Sequence, residues 1–200
     1  MGKPNIEKME AAKDVEGLIK ALEYKRDEFV RLEAAEALGN IGDKRAVEPL
    51  IKAFDDEFED VFCESVKSLG DIGDKRAVQP LIKAFNRARG GVKDWVIASL
   101  GKIGDNRAVP LLISSLENDD FTLSSWAAYG LGKIGDKRAV DPLIKALKHS
   151  HEWTRMAVAR ALGDIGDAKA EEPLMNALKD KYDDVRKPVK EALKKIKAKK

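Results

Sequence analysis

Side chains able to do covalent or metal chemistry are scarce in this chain of 200 residues. Its two histidines, His149 and His151, stand two apart, and His151-Glu152 is a single His–carboxylate pair. One such pair falls short of the ligand set that a metal centre needs. Cys63 is the only cysteine, so no intramolecular disulfide can form, which fits a reducing compartment. Glu59, Asp60 and Glu64 lie close to it in sequence, and their negative charge raises a thiol pKa, making Cys63 a poor nucleophile. No Ser/His/Asp or Cys/His arrangement suits nucleophilic catalysis. No Gly-rich phosphate loop is present either, because the recurring glycines precede Asp, which repels phosphate. Catalysis is not expected, nor is any cofactor or metal. The chemistry that remains is recognition. Trp95, Trp126, Tyr129, Trp153 and Met156 are the residue types that anchor contacts, and the elements that carry them decide whether they do.

Those elements follow from a repeat. Leu38-Gly39-Asn40-Ile41-Gly42-Asp43 recurs as Leu-Gly-x-Ile-Gly-Asp starting at Leu69, Leu100, Leu131 and Leu162, each start 31 residues after the last. A fixed period of this length signals a stacked array. Between motifs run two amphipathic segments, for example Asp43–Phe54 and Glu59–Ile72, with apolar residues at helical spacing. Asp43 is placed as an N-cap, and Gly39 and Gly42 suit a helix end that must reverse the chain. Pro49 recurs at Pro80, Pro142 and Pro173, marking a kink or a short starting turn. Repeat three departs, with Pro110 one position early, and its first helix is expected to enter at a different angle.

The whole chain fits six helix pairs without strands, read as one domain: an N-terminal capping pair over 14–42, four internal repeats over 43–166 and a C-terminal capping pair over 167–200. In the last pair, lysines replace the motif glycine and its neighbour, putting charge where a further repeat would dock. The tail from Lys194 to Lys200 reads as a solvated helix end favoured by the dipole.

Aligning the second helices separates framework from variation. Val30, Val61, Val92, Leu123, Thr154 and Val185 form one core column; Leu38 to Leu193 and Ile41 to Ile196 form two more. On the opposite side the columns vary. They hold Phe29 and Trp153, Asp94 and Met156, Glu33, Glu64, Trp95 and Trp126, and Tyr129 and Arg160. Two readings compete for the tryptophans, core or recognition. The core columns are already filled by Val, Ala, Leu and Ile, which favours a recognition strip running Trp95–Trp126–Tyr129–Trp153–Met156. With two flanking columns, this side carries 13 acidic and six basic side chains. Such a sign disfavours nucleic acid, whose phosphates need neutralising. It suits a protein or peptide carrying basic and apolar groups. Lys44-Arg45, Lys75-Arg76, Arg107, Lys137-Arg138 and Lys169 would align as a basic ridge, read as Asp/Arg pairs that bridge neighbouring repeats or sit in water.

A helix pair reading Ala-Leu-Gly-x-Ile-Gly-Asp-x-Arg-Ala-Val-x-Pro-Leu-Ile resembles the HEAT-like repeats of the phycobilin-lyase type, over roughly residues 14–197. The resemblance implies an all-α fold, an α-α superhelix (α-solenoid) of about six helix pairs whose second helices line a concave face. The varied columns would then point into the groove. The family includes bilin lyases, deoxyhypusine hydroxylases and artificial binders selected from libraries. The hydroxylase relies on four His-Glu pairs, so that activity is disfavoured here. Bilin lyases work as paired subunits, and this sequence offers a tetrapyrrole nothing beyond the aromatic strip. A library would confine diversity to the groove, whereas Phe62, Leu111, Ser114 and Ser115 depart from the framework.

Lys+Arg of 37 against Asp+Glu of 35 leaves almost no net charge. No stretch is apolar enough to span a membrane, the start lacks a signal-peptide core, and Ile6 stands where a myristoylation motif wants Ser or Thr. The expectation is a cytoplasmic, monomeric, non-enzymatic scaffold that binds a protein or peptide through its concave face. The alternatives are a lyase-like or chaperone-like subunit acting on a cofactor-bearing protein, or an artificial selected repeat binder.

Overall fold

In the computed structural model, which describes residues 2–198, every regular element is helical among those residues. The chain divides into two compact units, 1–103 and 104–200. The first holds α1 (Ile6–Ala11), α2 (Val15–Leu22), α3 (Glu28–Ile41), α4 (Val47–Lys52), α5 (Glu59–Ile72), α6 (Val78–Arg87) and α7 (Val92–Ile103). The second holds α8 (Val109–Ser115), α9 (Phe121–Ile134), α10 (Val140–Ala146), α11 (Glu152–Ile165), α12 (Glu171–Ala177) and α13 (Asp183–Ala198). From α2 onward the helices pair as the period predicts. Lys199 and Lys200 of the expected tail lie outside the described residues.

The motif builds each turn. In the first unit Gly42 adopts φ 73°, a left-handed conformation that suits glycine, and its N–H donates to the Leu38 carbonyl at 3.1 Å. Asp43 then accepts from the Arg45 amide at 2.9 Å and starts a 3-10 turn, Lys44–Ala46, ahead of α4. Pro49 falls in the first turn of α4, where no intrahelical N–H is required, so the starting turn, not a kink, is the outcome.

Gly39 has a different task from the one its place in the motif suggested. It lies inside α3, and a Cβ there would come 2.9 Å from the Ser68 Cα on α5. In the second unit a Cβ on Gly163 would come 2.7 Å from the Ala192 Cα on α13. The first motif glycine therefore permits close packing of successive second helices, while the second glycine reverses the chain. Ser68 and Ser99 use the proximity, donating to the Ala35 and Val66 carbonyls at 2.8 and 2.9 Å.

Within each unit the second helices stack in series, α3 on α5 on α7 and α9 on α11 on α13, with first helices packed outside them. The Val and Leu columns are buried at all six positions. The Ile column is not uniformly core: Ile41, Ile72, Ile134 and Ile165 are half-buried, whereas Ile103 and Ile196 are buried. Two positions of the outward columns, Ala98 and Pro188, are buried instead of exposed. Ala98 is too short to reach past its neighbours. Pro188 sits inside α13 and lacks the N–H that would bond one turn back.

Two features had no counterpart in the sequence reading. One is α1, capped by Asn5 and packed on α2 and α3 through the buried Ile6. The other is a pair of buried Arg–Asp struts. Arg31 makes a two-pronged contact with Asp56 at 2.7 and 3.0 Å and donates to the Tyr24 carbonyl at 3.0 Å. Arg155 does the same with Asp180, at 2.7 and 3.1 Å, and donates to the His149 and Ser150 carbonyls. Each arginine ties a second helix to the loop of the next repeat.

Candidate functional site

The outward columns carry side chains, not cavities for chemistry. Phe29, Trp95, Trp126, Tyr129 and Trp153 are 62%, 44%, 38%, 43% and 53% exposed, on helices whose core positions are fully buried. The tryptophans are therefore not core residues. Met156, Glu64 and Asp94 are half-buried, and Glu33 and Arg160 exposed.

In residues 1–103, α3, α5 and α7 carry Phe29, Glu33, Glu64, Asp94 and Trp95. Phe29 on α3 and Trp95 on α7 are separated by α5. On α5, Glu64 pairs with Lys67 at 3.0 Å, and the Lys67 ammonium lies 4.5 Å from the centre of the Trp95 ring. That places a cation over the face of the aromatic system. The acidic excess belongs here: Glu28, Glu33, Glu36, Glu59, Asp60, Glu64, Asp71 and Asp94 stand against Lys67 and Lys102.

In residues 104–200 the charge is nearly balanced, with Glu152, Asp164, Asp183, Asp184 and Glu191 against Lys133, Arg160, Lys187 and Lys195. Trp126 and Tyr129 meet edge to face on α9, centroids 5.8 Å apart at 88°. The Lys133 ammonium sits 5.5 Å from the Tyr129 ring centre. Together with Ser125, Ala157, Arg160 and Asp164, the two rings line a cavity of about 200 Å³ between α9 and α11. Trp153 and Met156 are on α11 but do not line it. Trp153 lies in the first turn, its backbone N–H donating to the His151 Nδ1 at 3.4 Å. Ser125 and Ala157 were not singled out from sequence as cavity residues. Their signal is positional, since each shares a column with, or adjoins, a chosen aromatic.

The remaining reactive groups are scattered. Burial, then Glu59 and Asp60, push the Cys63 thiol above its ordinary pKa. His151 lies 3.8 Å from Glu152 and stacks on Phe121, with ring centres 4.1 Å apart. Among the described residues, no three or more His, Cys, Asp or Glu side chains are grouped to hold a metal ion, and no helix is long and apolar enough to cross a membrane. Arg45, Arg76 and Arg138 of the ridge act as struts between repeats. Arg76 grips Asp74 and donates to the Lys44 carbonyl at 2.9 Å, and Arg45 reaches Glu16 at 3.2 Å.

The sequence matches the HEAT repeats over residues 15–92 and 109–194 and the PBS lyase HEAT-like repeat over residues 92–118. No curated protein matches it. Among solved structures it resembles an engineered protein at 22% identity and a TM-score of 0.65, covering 92% of this chain and 97% of that one. It is similar to the complex of CpcE and CpcF of phycocyanin lyase from Nostoc sp. PCC7120, at 25% identity and a TM-score of 0.58, covering 94% and 85%. A computationally designed armadillo repeat protein for modular peptide recognition is similar at 18% identity and a TM-score of 0.60, covering 89% and 98%.

Proposed function

The chain belongs to the HEAT-repeat family, and from that premise we propose that it is a non-catalytic scaffold that binds a protein or peptide through its second-helix face. One observation carries the reading: Trp126, Tyr129 and Trp153 are held exposed on two packed helices whose inward positions are fully occupied. Exposed aromatics on a rigid framework lose little conformational entropy on binding and make strong anchors. The similar fold of an armadillo repeat protein designed for modular peptide recognition supports this reading. Phe29, Trp95, Trp126, Tyr129, Trp153 and Met156 would supply apolar contact. Glu33, Glu64, Asp94 and Arg160 would set the charge that a partner must match.

The test is a pair of measurements on Trp126→Ala. Its melting temperature should stay near that of the parent, whereas truncating a core Trp would cost about 3–5 kcal/mol. A partner captured by the parent, then purified and titrated, should bind the variant roughly thirtyfold more weakly, about 2 kcal/mol. Unchanged affinity, or a variant that melts far below the parent, overturns the reading.

The likeness to phycocyanin lyase favours one second reading, a subunit that acts on a cofactor-bearing protein. Bilin transfer onto a phycocyanin subunit, followed by absorbance with and without this chain, separates the two.

A further inference from the structure

We propose that the cavity between α9 and α11 takes an apolar side chain from a peptide segment in which Asp or Glu stands next to that residue. This rests on the second-helix face being a recognition surface and adds the chemistry of its anchor point.

Trp126 and Tyr129 give the cavity two aromatic walls at right angles, and its volume of about 200 Å³ suits a single side chain, not a cofactor. Its charge decides what accompanies that side chain. Asp164, on the cavity wall, is held by Lys195 at 2.7 Å. Arg160 forms no hydrogen bond or ion pair with a described residue, and neither does Lys133, which rests over Tyr129. Glu191, at the position of α13 equivalent to Arg160, makes no ion pair with it. The free charge at the cavity is positive.

The chain carries its own comparison. On α5 the cation at the position equivalent to Arg160 is Lys67, and Glu64, three residues earlier, neutralises it at 3.0 Å. On α11 the residue three before Arg160 is Ala157, and the cavity lies where that carboxylate would stand. The α5 surface supplies its own carboxylate. The α11 surface leaves both the space and the guanidinium for one from outside, and a guanidinium binds a carboxylate through two parallel hydrogen bonds.

The experiment uses the intact chain, fluorescently labelled, on arrays of short peptides with a fixed central Leu or Phe and randomised flanks. Wild type should capture peptides enriched in Asp or Glu within two positions of the anchor. Arg160→Glu should reverse that preference toward Lys and Arg, and Trp126→Ala should lower capture by about tenfold or more. Arg160 is exposed, so the variant should keep its melting temperature, which is checked alongside. If wild type prefers basic flanks, or Arg160→Glu leaves the preference unchanged while Trp126→Ala abolishes capture, the carboxylate assignment is overturned and the face remains a recognition surface. If no peptide is captured, or capture survives Trp126→Ala, the anchor site itself is refuted.

Discussion

Ser65 is fully buried on α5, and no described group accepts or donates a hydrogen bond to its hydroxyl. An unpartnered buried hydroxyl is a liability of about 1–3 kcal/mol. The same column holds Ala34 and Ala127, both fully buried, so the space tolerates a methyl. Ser65→Ala should therefore leave stability unchanged or raise it by about 1 kcal/mol, read from the urea midpoint. A lower midpoint would mean that the hydroxyl has a partner after all. Gly163 tests the opposite case. An alanine Cβ there meets the backbone of Ala192, which cannot swing aside, so Gly163→Ala should lose about 1–3 kcal/mol by the same measurement. The tryptophans were legible as non-core because six aligned columns showed which positions were already filled. The separate duty of the first motif glycine was not, because a close approach between helices leaves no trace in the residues of one helix alone.

Each first helix opens on an aspartate, and at Asp43, Asp74 and Asp136 the arginine two residues on determines how that cap responds to acid. The guanidinium of Arg45, helped by its own backbone N–H, holds the Asp43 carboxyl down to about 2, and Arg76 does the same for Asp74. A carboxyl with a lowered folded-state pKa binds its proton less readily folded than unfolded. Its contribution is therefore whole above the ordinary carboxylate range near 4 and is lost as the pH falls toward 2. The melting temperature should drop across that window. In the double variant Asp43→Asn with Asp74→Asn the drop should be shallower, because Asn still accepts the capping N–H but does not titrate. Parallel curves for parent and variant would show that these caps do not contribute to acid sensitivity. The caps, the turns and the pairing of helices were all readable from the 31-residue period, since each is rewritten in every repeat. The Arg31–Asp56 and Arg155–Asp180 struts were not read, although both join residues 25 apart, because they occur in only some repeats. The helix α1 stood outside the period and offered only Ile6 and Met9 as apolar marks.

A stacked array has no central core, so its stability resides in interfaces between neighbours, and the α11–α13 interface is one where that can be tested. In residues 104–200, α13 covers α11 and presents Lys190, Lys194 and Lys197 on its exposed surface. Deleting residues 168–200 removes α12 and α13 and does three kinds of damage. It uncovers the α11 backbone at Gly163, where Ala192 packed closely. It strips Lys195 from Asp164, an exposed pair worth little. It also takes Asp180 from Arg155, whose side chain is about one-tenth exposed and whose guanidinium holds the Asp180 carboxyl below its usual pKa. Asp180 and Tyr182, which cover Arg155, leave together, so its guanidinium passes to water, and the heavier loss is the α11 surface that α13 had covered, set against the ~5–15 kcal/mol that holds a domain folded. The truncated protein should aggregate or melt far below the parent. In the intact chain, by contrast, Asp180→Ala leaves the Arg155 guanidinium buried without its carboxylate and should lower stability by about 3–5 kcal/mol. Thermal melts and size-exclusion chromatography on the parent, the truncated chain and Asp180→Ala decide it. A truncated chain that stays monodisperse with an unchanged melting temperature would show that the fold does not depend on the α11–α13 interface. An Asp180→Ala form that melts with the parent would show that the strut contributes nothing to stability.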